Sequence, residues 1–284
     1  MRHTTVPRSD SRPLAPVCLS VIVPAWNEAG RIQECLAQLE GCLAHLHPEI
    51  IVVDDGSTDG TPREAAAWMA RHPGCDAQVV SIPHRGKGRA VYAGVHRSHG
   101  DHVAYIDADL DIPAQEIDRL LRWHEAARAD VVVGSKRLLT WRELPRPLLR
   151  RAASISFSWL VGWLFHLPVR DTQTGVKLFP GPWLRRVAGH ARVPGFLFDV
   201  ELLAAAADDG LRIAELPVSV AMRRPASRIG IPDGLRCLLE LAQVAASVRH
   251  IRRALHTLPS MPPPDRRIRW PGRRAVAGHG APGG

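Results

Sequence analysis

The chain has 284 residues, of which 45% are hydrophobic, and a formal net charge of +9. That size and composition suit a globular protein of one large domain or two small ones. The five cysteines, Cys18, Cys35, Cys42, Cys75 and Cys237, are odd in number and form no CxxC pair, which argues against a disulfide framework or a zinc site and fits a reducing compartment. The positive charge points to acidic partners, namely nucleic acid, nucleotides or an anionic membrane surface. Much of the excess is arginine near the C-terminus, so the charge belongs as readily to a tail as to a site.

Residues 1–18 open with "MRHTTVPRSDSRPLAP", polar and without the apolar core of a secretory signal, and are expected to be a disordered leader. "LSVIVPA" is short and β-branched and ends just beyond a proline, a strand pattern. "NEAGRIQECLAQLEGCLAHL" has apolar residues at helical spacing. "EIIVVDD" reads as a buried strand, followed by the turn "GSTDG" and the helix "TPREAAAWMARH". "AQVVSI" predicts a third strand, "GKGRAVYAGVHRSHG" a helix, and "DHVAYID" a fourth strand. "PAQEIDRLLRWHEAARA" then reads as a helix and "DVVVGS" as a strand. Continuous apolar strands separated by helices imply an α/β doubly wound domain with a parallel sheet covered on both faces. Ligands of such sheets lie beyond the carboxyl ends of the strands, so Pro24–Glu28, Asp54, Asp55, Asp107 and Asp109 should converge on one crevice.

The second half is less regular. "PLLRRAASISFSWLVGWLFHLPV" is a long apolar segment, "DTQTGVKLF" reads as a strand, "FDVELLAAAADDG" as a helix and "LRIAELPVSVAMRR" as a strand. "DGLRCLLELAQVAASVRHIRRAL" is amphipathic and helical. Residues 255–284 are rich in Pro, Gly and Arg and are expected to form a disordered tail, which leaves 19–254 as the folded unit.

The stretch "AYIDADLDIP" places Asp107, Asp109 and Asp111 at alternate positions. Three like charges so close repel one another and do not serve stability. Asp111 alone has an ordinary reading as the cap of the helix that follows, but Asp107 and Asp109 do not. Hard cations such as Mg²⁺ or Mn²⁺ prefer carboxylate oxygens and bridge to diphosphates. Asp55, at the end of "EIIVVDD", is either part of a strand-to-helix turn or an acceptor for the imino N–H of uracil or guanine. Trp26 reads either as a core residue or as a face for a base or ribose.

"SVIVPAWNEAGRI", "VVDDGSTDGT", "HRGKGRAVYAG", "YIDADLD" and "VVVGSKR" occur in the order seen in family 2 glycosyltransferases, and the chain resembles that family over residues 19–254. "RDTQTGVKLFP" and "FLFDVELL" resemble the dolichyl-phosphate (polyprenyl-phosphate) glucosyltransferase and mannosyltransferase branch, closer to the glucosyl members. The resemblance implies a GT-A fold, Rossmann-like with a mostly parallel central sheet, and an inverting enzyme that needs Mg²⁺ or Mn²⁺. Pro24, Ala25, Trp26 and Glu28 would line the nucleotide, with Trp26 replacing the usual tyrosine. Asp55 would read the base, Asp107 and Ala108 would face the ribose or metal, and Asp109 would ligate the metal. Asp111 departs from an uncharged residue common there and would complete the metal sphere or cap a helix. Lys87 would lie near phosphate, and Lys136 would favour an anion. Asp171, Thr172, Gln173 and Lys177 would approach the sugar and acceptor. Arg223, Arg224 or Arg228 would close over phosphate.

The implied reaction moves a hexose, best read as glucose from UDP-glucose, to a polyprenyl or dolichyl phosphate. An ionised phosphate acceptor needs no base; a soluble hydroxyl acceptor would, and Asp171 is then the candidate. Residues 152–169 reach only the lower length limit of a transmembrane helix. They also separate Lys136 from Asp171, which must serve one side. They are expected to form a helix at the mouth of the crevice, with Arg150 and Arg151 placed for an anionic headgroup, in a cytoplasmic protein peripheral to the membrane. A nucleic-acid binder finds no recognisable module here, and a catalytically silent GT-A module is disfavoured by the retained "DAD".

Overall fold

The structure is a computed structural model that describes residues 18–136, 148–195, 197–221 and 234–257, with the backbone alone at 148–155 and 234–239. Its elements in chain order are β1 (Leu19–Ala25), α1 (Ala29–Leu43), β2 (Glu49–Asp55), α2 (Thr61–Arg71), β3 (Ala77–Ile82), α3 (Lys87–Arg97), β4 (His102–Ile106), α4 (Gln115–Ala127) and β5 (Val131–Ser135). There follow α5 (Leu148–Phe165), β6 (Val176–Pro180), α6 (Gly181–Ala188), α7 (Phe198–Asp208), β7 (Ile213–Pro217) and α8 (Gly234–Thr257). One seven-stranded sheet has the order β3-β2-β1-β4-β6-β5-β7.

The central stretches of β1, β2, β4 and β5 are continuously apolar because the sheet is covered on both sides. Side chains alternate between faces. Ile22, Ile51, Val53, Val103 and Tyr105 thus enter the core formed with α3, α6, α7 and α8. Val21, Val23, Ile50, Val52 and Ala104 enter the opposite core, with residues of α1, α2 and α4. Each fully buried Val or Ile contributes roughly 1.5–3 kcal/mol relative to an exposed one.

Strand β6 is antiparallel to both β4 and β5, while the other pairings are parallel. The sheet is therefore mostly rather than wholly parallel, and the reversal has a consequence for the site. Ile106 pairs with Val176, so the start of β6 lies beside the end of β4. The strand order reverses between β1 and β4, the switch point at which an open α/β sheet leaves a crevice.

Several boundaries differ from the sequence expectation. Residues 171–175 form a turn rather than the first half of a strand, because the Asp171 carboxylate accepts hydrogen bonds from the Gln173 backbone N–H at 3.2 Å and the Thr174 hydroxyl at 2.5 Å. Helix α5 begins before residue 152 and stops at Phe165 rather than reaching 169. His166 takes a left-handed φ of 53°, and the Leu167 N–H closes on the Gly162 carbonyl at 3.0 Å. Helix α8 continues to Thr257, so the expected boundary at 254 falls inside it. Strand β7 ends at Pro217, and residues 222–224 of the predicted longer strand lie outside the described residues, as do 1–17 and 258–284. Among the described residues no helix is long and apolar enough to cross a membrane.

Candidate active site

The loop after β1 is held by the loop after β2. Asn27, at φ 55°, accepts the Thr58 N–H on its Oδ1 at 2.9 Å and gives its own N–H to Ser57 Oγ at 2.9 Å. Glu28 N–H donates to Thr61 Oγ1 at 2.8 Å, and Ala29 N–H to Asp59 Oδ2 at 3.1 Å. Helix α1 has no cap of its own at Glu28, so side chains of the "GSTDGT" turn satisfy N–H groups at its start. This clamp fixes Pro24, Ala25, Trp26 and Glu28 at the crevice edge. Trp26 is not a core residue: it is 43% exposed and stacks on His84 with ring centroids 4.7 Å apart.

Asp55, expected to read the base, is already engaged by backbone N–H groups in this structure. Its Oδ1 accepts the Arg85 N–H at 2.8 Å, its Oδ2 accepts the Gly86 N–H at 2.9 Å, and His84 Nδ1 also lies 2.9 Å from Oδ2. The carboxylate is buried and serves to tie down the β3–α3 turn. The face open to a base at this edge is the Trp26–His84 pair, and His84 had no signal in the sequence beyond preceding "RGKG".

That turn places Lys87. Gly86 has φ 101°, and an added Cβ there would lie 2.8 Å from the Pro194 carbonyl oxygen; one on Gly88 would lie 2.6 Å from Phe198 Cβ. Both glycines let the start of α3 sit directly on the 193–198 segment. Lys87 Nζ reaches Asp107 Oδ1 at 2.5 Å. Burial opposes charge on Lys87, yet Asp107 and Asp199 outweigh it and hold its pKa above the ordinary lysine value.

Beyond β4, Ala108, Leu110 and Ile112 are buried, while Asp107, Asp109 and Asp111 between them are half-buried. The alternation fixes which side of the loop carries the acids. Asp109 Oδ1 accepts the Asp111 N–H at 3.1 Å. The capping reading of Asp111 is overturned: α4 is preceded by Ala114 and has no side-chain cap. Asp111 Oδ1 is buried without a hydrogen-bond partner, which suits an oxygen meant for a cation.

Among the described residues no three His, Cys, Asp or Glu side chains converge as a metal cage. The three aspartates are therefore not a preassembled ligand set. Mg²⁺ and Mn²⁺ sites that take one or two carboxylates and complete their shell with substrate phosphate do not need one. The hard oxygen donors and the orphaned Asp111 oxygen fit such an ion.

Asp107 is positioned from its other side by Gly175. A Cβ on Gly175 would lie 2.0 Å from Asp107 Oδ2 and 2.6 Å from its Cγ. Gly175→Ala should therefore swing the carboxylate away while barely changing the melting temperature. Turnover should fall roughly 100-fold, the scale of an ångström-sized misplacement of a reacting group. Unchanged turnover would show that this orientation of Asp107 is irrelevant.

Lys177, expected near the sugar and acceptor, is enclosed in this structure. It does not approach a sugar from this position: its side chain is fully buried, with Nζ 2.6 Å from Asp199 Oδ1 and 2.7 Å from the Thr174 carbonyl. Burial pushes its pKa down, with Asp199 opposing. The Tyr105 hydroxyl donates to the same Asp199 oxygen. Burial and the Asp199 charge push the Tyr105 pKa well up. Asp199, within the "FLFDVELL" stretch, and Tyr105 thus form the floor of the crevice with Lys177, a role no sequence spacing displayed.

Asp171 is buried and committed. Besides the Gln173 and Thr174 bonds, its Oδ2 accepts the Lys136 N–H at 3.0 Å. It thereby joins the end of β5 to the 171–175 turn. Ser135 Oγ, Thr172 Oγ1 and Gln173 Nε2 at that junction are buried without hydrogen-bond partners, as groups reserved for a hydroxylated ligand would be. The side chains of Arg150 and Arg151, in the first turn of α5, and all of Arg223, Arg224 and Arg228 lie outside the described residues.

Comparison with known proteins gives a consistent picture. The model of "Glycosyl transferase family 2" matches residues 20–188. A dolichyl-phosphate beta-glucosyltransferase of Dictyostelium discoideum is 30% identical over 226 residues, covering 74% of this chain and 68% of the relative. One from Drosophila melanogaster is 34% identical over 218 residues, covering 70% and 66%. The chain thus spans about two thirds of the length of these relatives. Glucosyl-3-phosphoglycerate synthase from Mycobacterium tuberculosis, solved with Mn²⁺, UDP and phosphoglyceric acid, superposes with a TM-score of 0.54 at 22% identity, covering 84% of this chain and 78% of that one.

Proposed function

The chain belongs to glycosyl transferase family 2 and is a glycosyltransferase with the GT-A fold, and from that premise we propose that it transfers glucose from UDP-glucose to a polyprenyl or dolichyl phosphate. The relatives' printed activity supports the sugar and the acceptor class. The observation that carries the acceptor reading is the engagement of Asp171. With Lys136 N–H and Thr174 Oγ on one oxygen and Gln173 N–H on the other, the buried carboxylate is engaged in holding the turn rather than turned toward an acceptor hydroxyl. An ionised phosphate asks for none; a hydroxyl acceptor would.

In this reading Trp26 and His84 offer a ring face to the base, and Pro24, Ala25 and Glu28 border the nucleotide. Asp109, with Asp107 and Asp111 beside it, holds a Mg²⁺ or Mn²⁺ ion. When bound, that ion neutralises charge on the departing diphosphate. Ser135, Thr172 and Gln173 receive hydroxyl groups. The acceptor phosphate oxygen forms its bond to the anomeric carbon from the face opposite the leaving group. The bond from that carbon to the diphosphate oxygen breaks, and the electron pair leaves with UDP. Configuration inverts, and no protein proton moves. Competitive calorimetry tests the donor: UDP with Mn²⁺ should bind more tightly than GDP with Mn²⁺, and the reverse order contradicts the reading.

A lipid acceptor requires a membrane surface, and α5 offers one. Trp159 and Trp163 are 77% and 74% exposed, with Leu160 and Leu164 beside them, while Val161 on the other side is fully buried. Spacing of three and four residues puts Trp159 and Trp163 on one helix face, the pattern of a helix lying in the interface. Liposome co-sedimentation should report binding to anionic vesicles that weakens but persists at high salt, because apolar insertion is not screened. Replacing both tryptophans by serine should reduce that binding, most clearly at high salt, and lower turnover on lipid acceptors together. Equal binding by the double variant would remove the membrane role of this face.

A further inference from the structure

We propose that Lys87 acts as a placeholder cation on Asp107, so that metal and nucleotide diphosphate bind as a coupled pair; the inference rests on the metal-dependent reading above. Two lysines face two aspartates in the crevice, and their settings differ. Lys177 is sealed, with Asp199 and the Thr174 carbonyl as fixed partners. Lys87 has 28% of its side chain exposed, and its partner Asp107 has 39% exposed. A path to the crevice is therefore open to the Lys87 ammonium alone of the two.

Asp107 is engaged on its Oδ1 side in this state. Oδ1 is taken by Lys87 at 2.5 Å, and Oδ2 is pressed against Gly175, where an added Cβ would be only 2.0 Å away. A cation that takes Oδ1 of Asp107 must therefore displace the ammonium. The Lys87 backbone cannot retreat. Gly86 N–H is held by Asp55 Oδ2 at 2.9 Å, and Gly86 and Gly88 abut the carbonyls of Pro194 and Val193. The side chain has to swing instead, and the anion brought by the donor is its diphosphate. Lys87 thus exchanges a carboxylate for a phosphate as the metal exchanges water for that carboxylate. Each ligand favours the other, and by linkage the coupling is reciprocal. Lys87 is a positioning residue for the metal in the free enzyme and a phosphate partner once donor is bound.

The test measures Mn²⁺ binding by electron paramagnetic resonance of the free ion, with the full chain, in the absence and presence of UDP. In wild type, UDP should tighten Mn²⁺ binding. In Lys87→Met, Mn²⁺ alone should bind roughly three- to tenfold more tightly, the scale of a charge-assisted hydrogen bond discounted for solvent exposure. UDP should bind more weakly to that variant, and the coupling between UDP and Mn²⁺ should shrink. The two affinities move in opposite directions, which a general loosening of the site cannot produce. Lys87→Gln is read on the same terms if Lys87→Met fails to fold. Unchanged or weaker binding of Mn²⁺ alone in the folded variant overturns the placeholder and leaves Lys87 an ordinary phosphate ligand. Failure of wild type to take up Mn²⁺ even with UDP or GDP overturns the metal reading, and the placeholder with it.

Discussion

Asp109→Asn should lower turnover by roughly two to three orders of magnitude, the equivalent of about 3–4 kcal/mol of lost transition-state stabilisation. Its melting temperature should stay close to that of wild type. The asparagine oxygen can still accept the Asp111 N–H that Asp109 Oδ1 now accepts at 3.1 Å, so the loop keeps its shape. What goes is a negative charge aimed at a cation. Steady-state kinetics with saturating Mn²⁺, alongside a thermal melt, checks both halves. Retained turnover would move the metal to other residues.

Lys177→Met should produce the largest loss of stability, roughly 3–5 kcal/mol. It removes the cation from a fully enclosed pair and leaves the Asp199 carboxylate with only the Tyr105 hydroxyl from its present set. Denaturant unfolding would measure the loss. A direct catalytic role would give the opposite pattern, with turnover lost at unchanged stability. Asp199→Ala should be comparably destabilising, because it strands the ammonium among the same groups. The double variant should cost less than the sum of the two singles, since neither partner is then left alone.

Much of the fold could be read from the sequence because the signal is local and strong. Runs such as "IIVV" within "EIIVVDD" and "VAYI" within "HVAYI" are continuously apolar, as a strand buried on both faces requires. The convergence of β1, β2 and β4 on one edge followed from topology rules. The antiparallel β6 was not legible, because strand direction depends on how the 136–175 connection crosses the sheet. The acids of "DADLD" stand out in the sequence because repelling charges in an apolar loop demand a reason. The partners of Asp55, Asp171 and Lys177 were not legible, since each lies far away in sequence: Arg85 and Gly86, Lys136, and Asp199 respectively. A carboxylate looks the same in sequence whether it awaits a ligand or holds a loop. Gly175 was hidden for the same reason, its meaning set by Asp107 in the loop after β4.

The acceptor is tested most directly by incubating the chain with radiolabelled UDP-glucose and Mn²⁺ in vesicles that carry either a polyprenyl phosphate or the corresponding free polyprenol, with and without excess EDTA. Labelled glucose should enter the lipid phase on the phosphate alone, as a β-linked product, and transfer should stop with EDTA. Transfer to the free alcohol or to a water-soluble hydroxyl compound, with the polyprenyl phosphate left unglycosylated, would contradict the account, as would full turnover in the chelator.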